Sequence, residues 1–373
     1  MMRPAPRSLH KLPVRADASR NMSPESRRMR CLLHIGTEKT GTTLLQDWLY
    51  ANREALSARG IFLGDVLERN NNRKLAAYFQ GYLDDYHRAR GIADEAGRDA
   101  FFSGFEQDFA REVEAAKRNH HAMVISSEHF HSRVRDQERI ASLRGFLDRH
   151  FDRVDVVCYF REQSEMLRSL YSTAMRVSHT ASMAQFQKDT IGYYCDFHEI
   201  ARRWSGAFGR ERCDFRIYDR RAFVGGDIRR DFIALLPEVT DPDVLDYAIA
   251  SSNESLSAVE LSLYRLVNER VPYWNDDTGG IDLRNLRLKA AISACDALKV
   301  GRATNDCAAE IRELYRESNR RLSDEFFGGR PLFDVPPSAS DDGATPVFSL
   351  DEVDAMLQAL LGALIEATRA KPE

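Results

Sequence analysis

Long apolar runs are missing from this 373-residue sequence. No stretch approaches the roughly 18 residues that a membrane helix needs. The most apolar tail segment, Leu350 to Ala370, is interrupted by Asp351, Glu352, Asp354 and Glu366, so it reads as an amphipathic surface helix. Cysteine is sparse: Cys31, Cys158, Cys195, Cys213, Cys295 and Cys307 are far apart and include no C-x-x-C pair. A chain this long needs no disulfide framework. The six therefore read as reduced thiols, and the expected compartment is the cytoplasm. A surplus of either charge is also absent. Lys+Arg at 53 against Asp+Glu at 57 leave a net charge of −4, which argues against a nucleic-acid partner while leaving room for a local basic cleft. No internal repeat is present.

Composition is that of a globular chain. Hydrophobic residues at 43% and charged residues at 29% disfavour pervasive disorder, collagen and coiled coil. The length fits one large α/β domain with appendages, or two modest domains. Residues 1–28 stand apart, with Arg3, Arg7, Lys11, Arg15, Arg20, Arg27 and Arg28 facing only Asp17 and Glu25. A secretion signal would need an apolar core that is not there. We expect a disordered basic tail or a start assigned too early, with Met29 as the first residue; an Arg-rich organelle-targeting peptide is the alternative. Residues 29–335 read as the main domain. Residues 336–373 read as a linker, Pro336 to Pro346, followed by the amphipathic helix.

Cys31-Leu-Leu-His-Ile is a short apolar run stopped by Gly36, which suits a buried strand. From Thr42 the positions Leu44, Leu45, Trp48, Leu49 and Leu56 have helical spacing, Gly60 ends that helix, and Ile61-Phe62-Leu63 starts an extended piece. Strand, glycine-containing loop, helix, strand is the order of a parallel α/β sheet. A polar helical stretch with many aromatics runs from about Asn70 to Asn119. Strands are predicted at Ala122 to Ser126, Val154 to Phe160 and Asp214 to Tyr218, with helices at Gln137 to His150 and Ile228 to Leu236. From Ser257 onward the chain is mostly helical, interrupted by the loop Pro272 to Gly280.

Gly36-Thr-Glu-Lys-Thr-Gly41-Thr42-Thr43 lies between the first strand and the first helix. Two glycines let the backbone curl so that its N–H groups converge, and the helix start adds unpaired donors and the positive end of its dipole. Lys39 supplies a full charge, and Thr40, Thr42 and Thr43 supply hydroxyls. An anion belongs here. The G-x-x-x-x-G spacing matches a nucleoside-triphosphate loop, but Thr42 stands where that loop carries lysine. A kinase or ATPase would lack its phosphate-bridging lysine.

A second signature follows the strand that ends at Phe160. Arg161 at the carboxyl end of a parallel strand points into the crevice where doubly wound sheets bind ligands. Ser169, eight residues on, lies two turns into the next helix and can face the same crevice. A guanidinium fork and a hydroxyl suit a phosphate monoester.

The stretch His34 to Thr43 resembles the 5′-phosphosulfate loop of sulfotransferases that use 3′-phosphoadenosine 5′-phosphosulfate, a loop reading approximately P-K-[ST]-G-T-T. Arg161 and Ser169 resemble that family's 3′-phosphate site. The resemblance covers roughly residues 29–335. It implies an α/β fold: a P-loop-like parallel β-sheet flanked by helices, with a helical acceptor-side insertion and a helical C-terminal part. It further implies 3′-phosphoadenosine 5′-phosphosulfate as co-substrate, bound by Gly36, Lys39, Thr40, Gly41, Thr42, Thr43, Arg161 and Ser169, with Lys39 also stabilising the leaving oxygen and no metal required. Two departures stand out. Glu38 replaces the usual proline, and Leu44 replaces an aromatic that contacts adenine in the cytosolic branch. Asn253-Glu-Ser-Leu-Ser257 is a weaker third match, and Ser257 with Glu260 also forms a helix-capping pair.

Transfer to an alcohol needs a base for the hydroxyl proton. The end of the third strand offers Glu128 and His129. The family uses either residue type; Glu128 is favoured, with His129 as the alternative. His129-x-His131, with Glu128 and the upstream His120 and His121, could in principle chelate zinc, but nothing elsewhere supports a metal. The aromatic insertion, Met175 to Thr180 and Tyr273-Trp274 are candidate walls for an acceptor. By resemblance that acceptor is a carbohydrate or glycolipid, with a small alcohol also open. The alternatives to a sulfotransferase are a kinase-like phosphotransferase with a degenerate loop and a non-catalytic nucleotide-binding protein of the same fold.

Overall fold

The computed structural model describes residues 28–249, 256–275, 280–305, 307–333 and 347–358. Residues 1–27 of the basic tail, residues 253–255 of the third match, the linker between Pro336 and Pro346 and the segment beyond residue 358, for which a helix is expected, lie outside the described residues.

Five strands, β1 (Arg30–His34), β2 (Ile61–Phe62), β3 (Ala122–Ser126), β4 (Arg153–Phe160) and β5 (Cys213–Ile217), form one sheet in the order β2-β3-β1-β4-β5. Every pairing is parallel. Such a sheet needs cover on both faces, which is why these strands read as unbroken apolar runs. Alternate residues part accordingly: Cys31 and Leu33 join Met123, Val156, Cys158 and Trp204 on one face. Leu32 joins Trp48, Val124, Val157, Tyr159 and Phe232 on the other. The helices that matter below are α1 (Thr42–Ala51), α2 (His129–Arg133), α3 (Gln163–Arg176) and α4 (Ala258–Arg270). Among the described residues no helix is long and apolar enough to cross a membrane.

Register decides what meets at the carboxyl edge. His34 pairs with both Ser126 and Val157, so β1 and β3 end together. Ile217 pairs with Phe160, so β4 and β5 also end together. The chain leaves β1 towards β3 on one side and reaches β4 on the other. That divergence leaves a crevice above β1, where open α/β sheets bind ligands.

The insertion between β2 and β3 holds four helical pieces, Arg73–Phe79, Asp85–Arg88, Glu95–Phe102 and Phe105–Ala116. Its aromatics pack together: Tyr78 meets Phe102 edge-on, and Phe105 stacks on Phe146 at 6.2 Å between centroids. Tyr82, 44% exposed, is an exception. The expected capping pair is present, with Ser257 accepting from the Glu260 amide and Glu260 from the Ser257 amide. Val347–Phe348 pairs with Arg302–Ala303 as a second, two-stranded parallel sheet.

His34 sits inside this packing. Its Nδ1 lies 2.9 Å from the Ser126 hydroxyl, and its ring edge faces Tyr159 and Phe232. Full burial pushes its pKa down to about 3, and His131 is pushed down to about 4. An unfolded histidine protonates near 6.5, so as pH falls below that value the unfolded chain takes up protons that the folded chain refuses. Stability is complete above about 6.5 and is lost as pH falls towards 3, with a slope of up to about 1.4 kcal/mol per pH unit for each such group. Urea midpoints between pH 7 and 4.5 should therefore fall less steeply for His34→Asn than for the parent chain, whatever its absolute stability. Parallel profiles would contradict this.

Candidate functional site

The loop after β1 first continues the sheet. Ile35 and Thr37 donate their amides to Val157 and Tyr159 carbonyls, and the Tyr159 amide donates to Gly36. It then folds on itself: the Thr40 hydroxyl donates to the Thr37 carbonyl at 2.6 Å, and both threonines are fully buried. Lys39 (φ 65°) and Gly41 (φ 72°) take left-handed conformations that turn the chain into α1. Gly41 caps that helix without any side-chain acceptor, and no acidic residue occupies the first turn. The donors and the positive dipole end of α1 thus open onto a cavity with no counter-charge from the helix's first turn. Gly36 (φ 95°) is required for contact, since a Cβ there would lie 2.9 Å from the Glu128 Cα.

Arg161 follows β4 and binds the loop directly, donating from one terminal nitrogen to the Lys39 carbonyl at 3.1 Å. Its other terminal nitrogen lies 3.6 Å from Glu165, which also takes Arg168 at 2.6 Å. Burial of Glu165 would raise its pKa, but Arg168 and Arg161 hold it below the ordinary value. The Lys39 ammonium donates to the Thr173 hydroxyl on α3 at 2.5 Å. Burial lowers the Lys39 pKa, opposed by Glu38 and Glu128 and reinforced by Arg176 and Arg161.

These groups surround two adjoining cavities. One, of about 470 Å³, is lined by Lys39, Gly41, Thr42, Thr43, Glu128 and His129, among others. The other, of about 770 Å³, is lined by Arg168, Lys299 and Arg302 as well as Ser257. Arg161, Ser169, Ser172 and Arg176 line both. Of the residues singled out in the sequence, Lys39, Gly41, Thr42, Thr43, Glu128, His129, Arg161 and Ser169 therefore share one concavity. Gly36 and Thr40 shape the loop from behind it.

Arg168, Ser172, Lys299, Arg302 and Tyr218 were not singled out, and Arg176 only as part of the Met175 to Thr180 wall expected for an acceptor. Ser169, Ser172 and Arg176 fall at i, i+3 and i+7 on α3, a spacing that could have found them. Lys299 and Arg302 carry no such signal, because they come from a segment more than a hundred residues away, at the start of the second sheet. Tyr218, just past β5, lies against Gly41, where a Cβ would come within 3.2 Å of its hydroxyl.

Glu128 stands at the end of β3 with its side chain 18% exposed. Its Oε2 accepts from the Gln46 amide at 2.8 Å, and its Oε1 is 3.9 Å from His129 Nε2. Burial raises its pKa, partly offset by the Gln46 hydrogen bond. His129 is driven well below its ordinary value by burial, then by Arg73 and Arg133. It is a neutral imidazole beside a carboxyl group of raised affinity for protons. His131 faces elsewhere, its Nε2 on the Tyr194 carbonyl and its ring stacked on Tyr193. No group of three or more His, Cys, Asp or Glu is placed to hold a metal ion among the described residues. Glu38, where the resembling loop has proline, lines the smaller cavity and accepts from the Tyr194 hydroxyl at 3.5 Å.

No protein-family model matches the sequence. The chain is 29% identical over 211 residues to an uncharacterized protein of Archaeoglobus fulgidus. That match covers 57% of this chain and 55% of the relative, about half of the relative's length. In fold the chain is similar to a sulfotransferase from Alicyclobacillus acidocaldarius, at 16% identity and a TM-score of 0.37 over 66% of this chain and 97% of that one. It is also similar to the sulfotransferase domain from the curacin biosynthetic pathway, at 9% identity and a TM-score of 0.33, covering 61% of this chain and 79% of that one. A third similarity is to the sulfotransferase domain of the Synechococcus PCC 7002 olefin synthase, at 12% identity and a TM-score of 0.30, covering 74% and 98%. All three are sulfotransferases.

Gly36→Ala tests the contact that joins the loop to Glu128. It should cost about 1–3 kcal/mol of stability in urea unfolding and weaken the binding of inorganic pyrophosphate. Gly91 also has positive φ, but nothing lies within 4 Å of its Cβ position. Gly91→Ala should lower stability alone; equal effects of the two variants on pyrophosphate binding would remove the contact's role.

Proposed function

We propose that this chain is a sulfotransferase that moves a sulfuryl group from 3′-phosphoadenosine 5′-phosphosulfate to a hydroxyl of an acceptor. The observation that carries this reading is the pair of anion-binding elements on one concavity, the Lys39 loop at the α1 N-terminus and Arg161 with Ser169, joined by the Arg161–Lys39 hydrogen bond. A donor with phosphate groups at both ends of a ribose suits such a pair, and a nucleoside triphosphate does not. The donor set fits the co-substrate: unpaired helix-start amides, the Thr42 and Thr43 hydroxyls and an ammonium at one end, a guanidinium and a hydroxyl at the other.

In this reading the α1 amides, Thr42 and Thr43 hold the 5′-phosphosulfate end, and Arg161 and Ser169 hold the 3′-phosphate. Glu128 takes the proton as the acceptor oxygen bonds to sulfur. Lys39 donates to the bridging oxygen, which receives the electron pair of the breaking S–O bond. The neutral His129 is the alternative base. By resemblance, the acceptor we assign is a carbohydrate or glycolipid. The smaller cavity offers it Glu38 and His129 beside the base, while the aromatics of the insertion mostly pack into the core. The cytoplasm is the compartment we assign, on the few and widely spaced cysteines of the sequence.

Calorimetry with 3′,5′-adenosine bisphosphate against AMP should favour the bisphosphate clearly. Arg161→Ala should weaken bisphosphate binding about 10- to 100-fold and AMP binding far less. Equal affinities for the two nucleotides would overturn the 3′-phosphate assignment. Magnesium-dependent ATP binding indifferent to Arg161 would point instead to a phosphotransferase.

Kinetics separate the roles at the reacting centre. Lys39→Ala should lower kcat by about 10²–10³ with a smaller change in donor affinity. Glu128→Gln should abolish transfer while leaving calorimetric donor affinity intact; near-normal turnover would move the base to His129. Tight bisphosphate binding with no transfer to any acceptor would favour a binding protein.

A further inference from the structure

Gln46 is a polar residue that neither phosphate element uses. It lies one turn into α1, four residues after Thr42, and is only 3% exposed. Its side-chain nitrogen lies 2.8 Å from Glu128 Oε2, 3.3 Å from the Ser126 hydroxyl and 3.4 Å from the Ser126 carbonyl. All three neighbours accept, so the amide nitrogen, which has two protons to give and no lone pair to offer, is the end that must face them. Ser126 is itself held on other sides. Its hydroxyl meets His34 Nδ1 at 2.9 Å, and its amide donates to Asn72 at 2.9 Å. Gln46 is thus braced against the end of β3 while it grips the next residue but one.

The other carboxylate oxygen is left differently. Glu128 Oε1 faces His129 Nε2 at 3.9 Å, beyond hydrogen-bonding distance, and both residues line the smaller cavity. The charged or titratable groups around this carboxyl are Lys39 and Glu38 on the loop, His129 on its own segment and His34 behind Ser126. Arg73 and Arg133 lie beyond His129, where both pair with Asp84. None of these fixes the carboxyl's orientation as the Gln46 amide does. We infer that Gln46 is the positioning residue of the base, its amide pinning Oε2 of Glu128 so that Oε1 is the atom that accepts the proton from the acceptor hydroxyl. This rests on the proposed transfer, with Glu128 as base. As the acceptor's O–H bond breaks and its O–S bond forms, the proton goes to Oε1, and the sulfur–oxygen pair goes to the leaving phosphate oxygen. The same helix that presents its first amides to the donor therefore sets the orientation of the group that activates the acceptor.

Two variants of similar size test it. Gln46→Met keeps the volume and loses the donor; Gln46→Glu replaces the donor with a second carboxyl group. Two readouts are followed against pH. The first is transfer from 3′-phosphoadenosine 5′-phosphosulfate to 4-nitrophenol or galactose. The second is ionisation of Glu128 without substrate, taken as the carboxyl infrared band that disappears in Glu128→Gln. The acid limb of kcat/KM and the Glu128 midpoint should both rise by about one pH unit in Gln46→Met. They should rise further in Gln46→Glu, with bisphosphate affinity within about twofold of the parent. Unmoved midpoints in both variants, with lowered stability alone, would reduce Gln46 to packing and overturn the inference. A shifted Glu128 band in a chain that transfers sulfate to neither acceptor would uphold the Gln46 coupling and count against the proposed reaction. Transfer with an unmoved limb would do the reverse.

Discussion

Parallel pairing of β1 with β3 on one side and β4 on the other is the constraint from which the site follows. Because His34 pairs with Ser126 and with Val157, three connections emerge at a single edge. They are the glycine loop, the Glu128 turn and, four residues beyond Val157 and just past β4, Arg161. Groups that are distant along the chain are thereby brought to one concavity by backbone hydrogen bonds alone. The side chains then tie the connections together: Arg161 to the Lys39 carbonyl, Lys39 to Thr173 and Gln46 to Glu128.

The electrostatics of that edge are strained in one direction. Lys39, Arg161, Arg168 and Arg176 crowd a partly buried region, and Lys39 and Arg161 are held below their ordinary pKa values chiefly by burial. Cations removed from water and set beside one another favour an incoming anion, because it supplies the counter-charge that solvent no longer does. Glu165 supplies part of it by taking Arg168 and standing near Arg161. Across the cavity the balance reverses: Glu128 gains proton affinity and His129 loses it, both chiefly through burial. A carboxyl group of raised pKa facing a cationic cradle is the arrangement that the proposed transfer calls for.

Much of this was legible in the residues. The runs at Cys31, Ala122 and Val154 had to be buried strands, because apolar residues without alternation need cover on both sides. The two glycines and the threonines between the first strand and its helix marked the loop that lines the smaller cavity. The Asn70 to Asn119 aromatics were harder to read. Rings that pack a helical insertion and rings that line a sugar pocket share one composition, and only the stacking of Phe105 on Phe146 decides for packing at that position. Thr40 is similar: a hydroxyl in an anion loop looks available in sequence, yet here it closes the loop onto Thr37. Lys299 and Arg302 were invisible because no short spacing links them to the crevice they line.

From the sequence alone came local properties: which segments must be strands, where a loop gathers amides around a charge, and which strand end carries a guanidinium. These depend on neighbours a few residues apart, whose geometry the backbone imposes. The tertiary structure decided the long-range matters. It set which oxygen of Glu128 the Gln46 amide takes, which histidine faces the cavity and which basic groups from the far end of the chain join it. Those depend on strand order and burial, and neither is a property of any short stretch of chain.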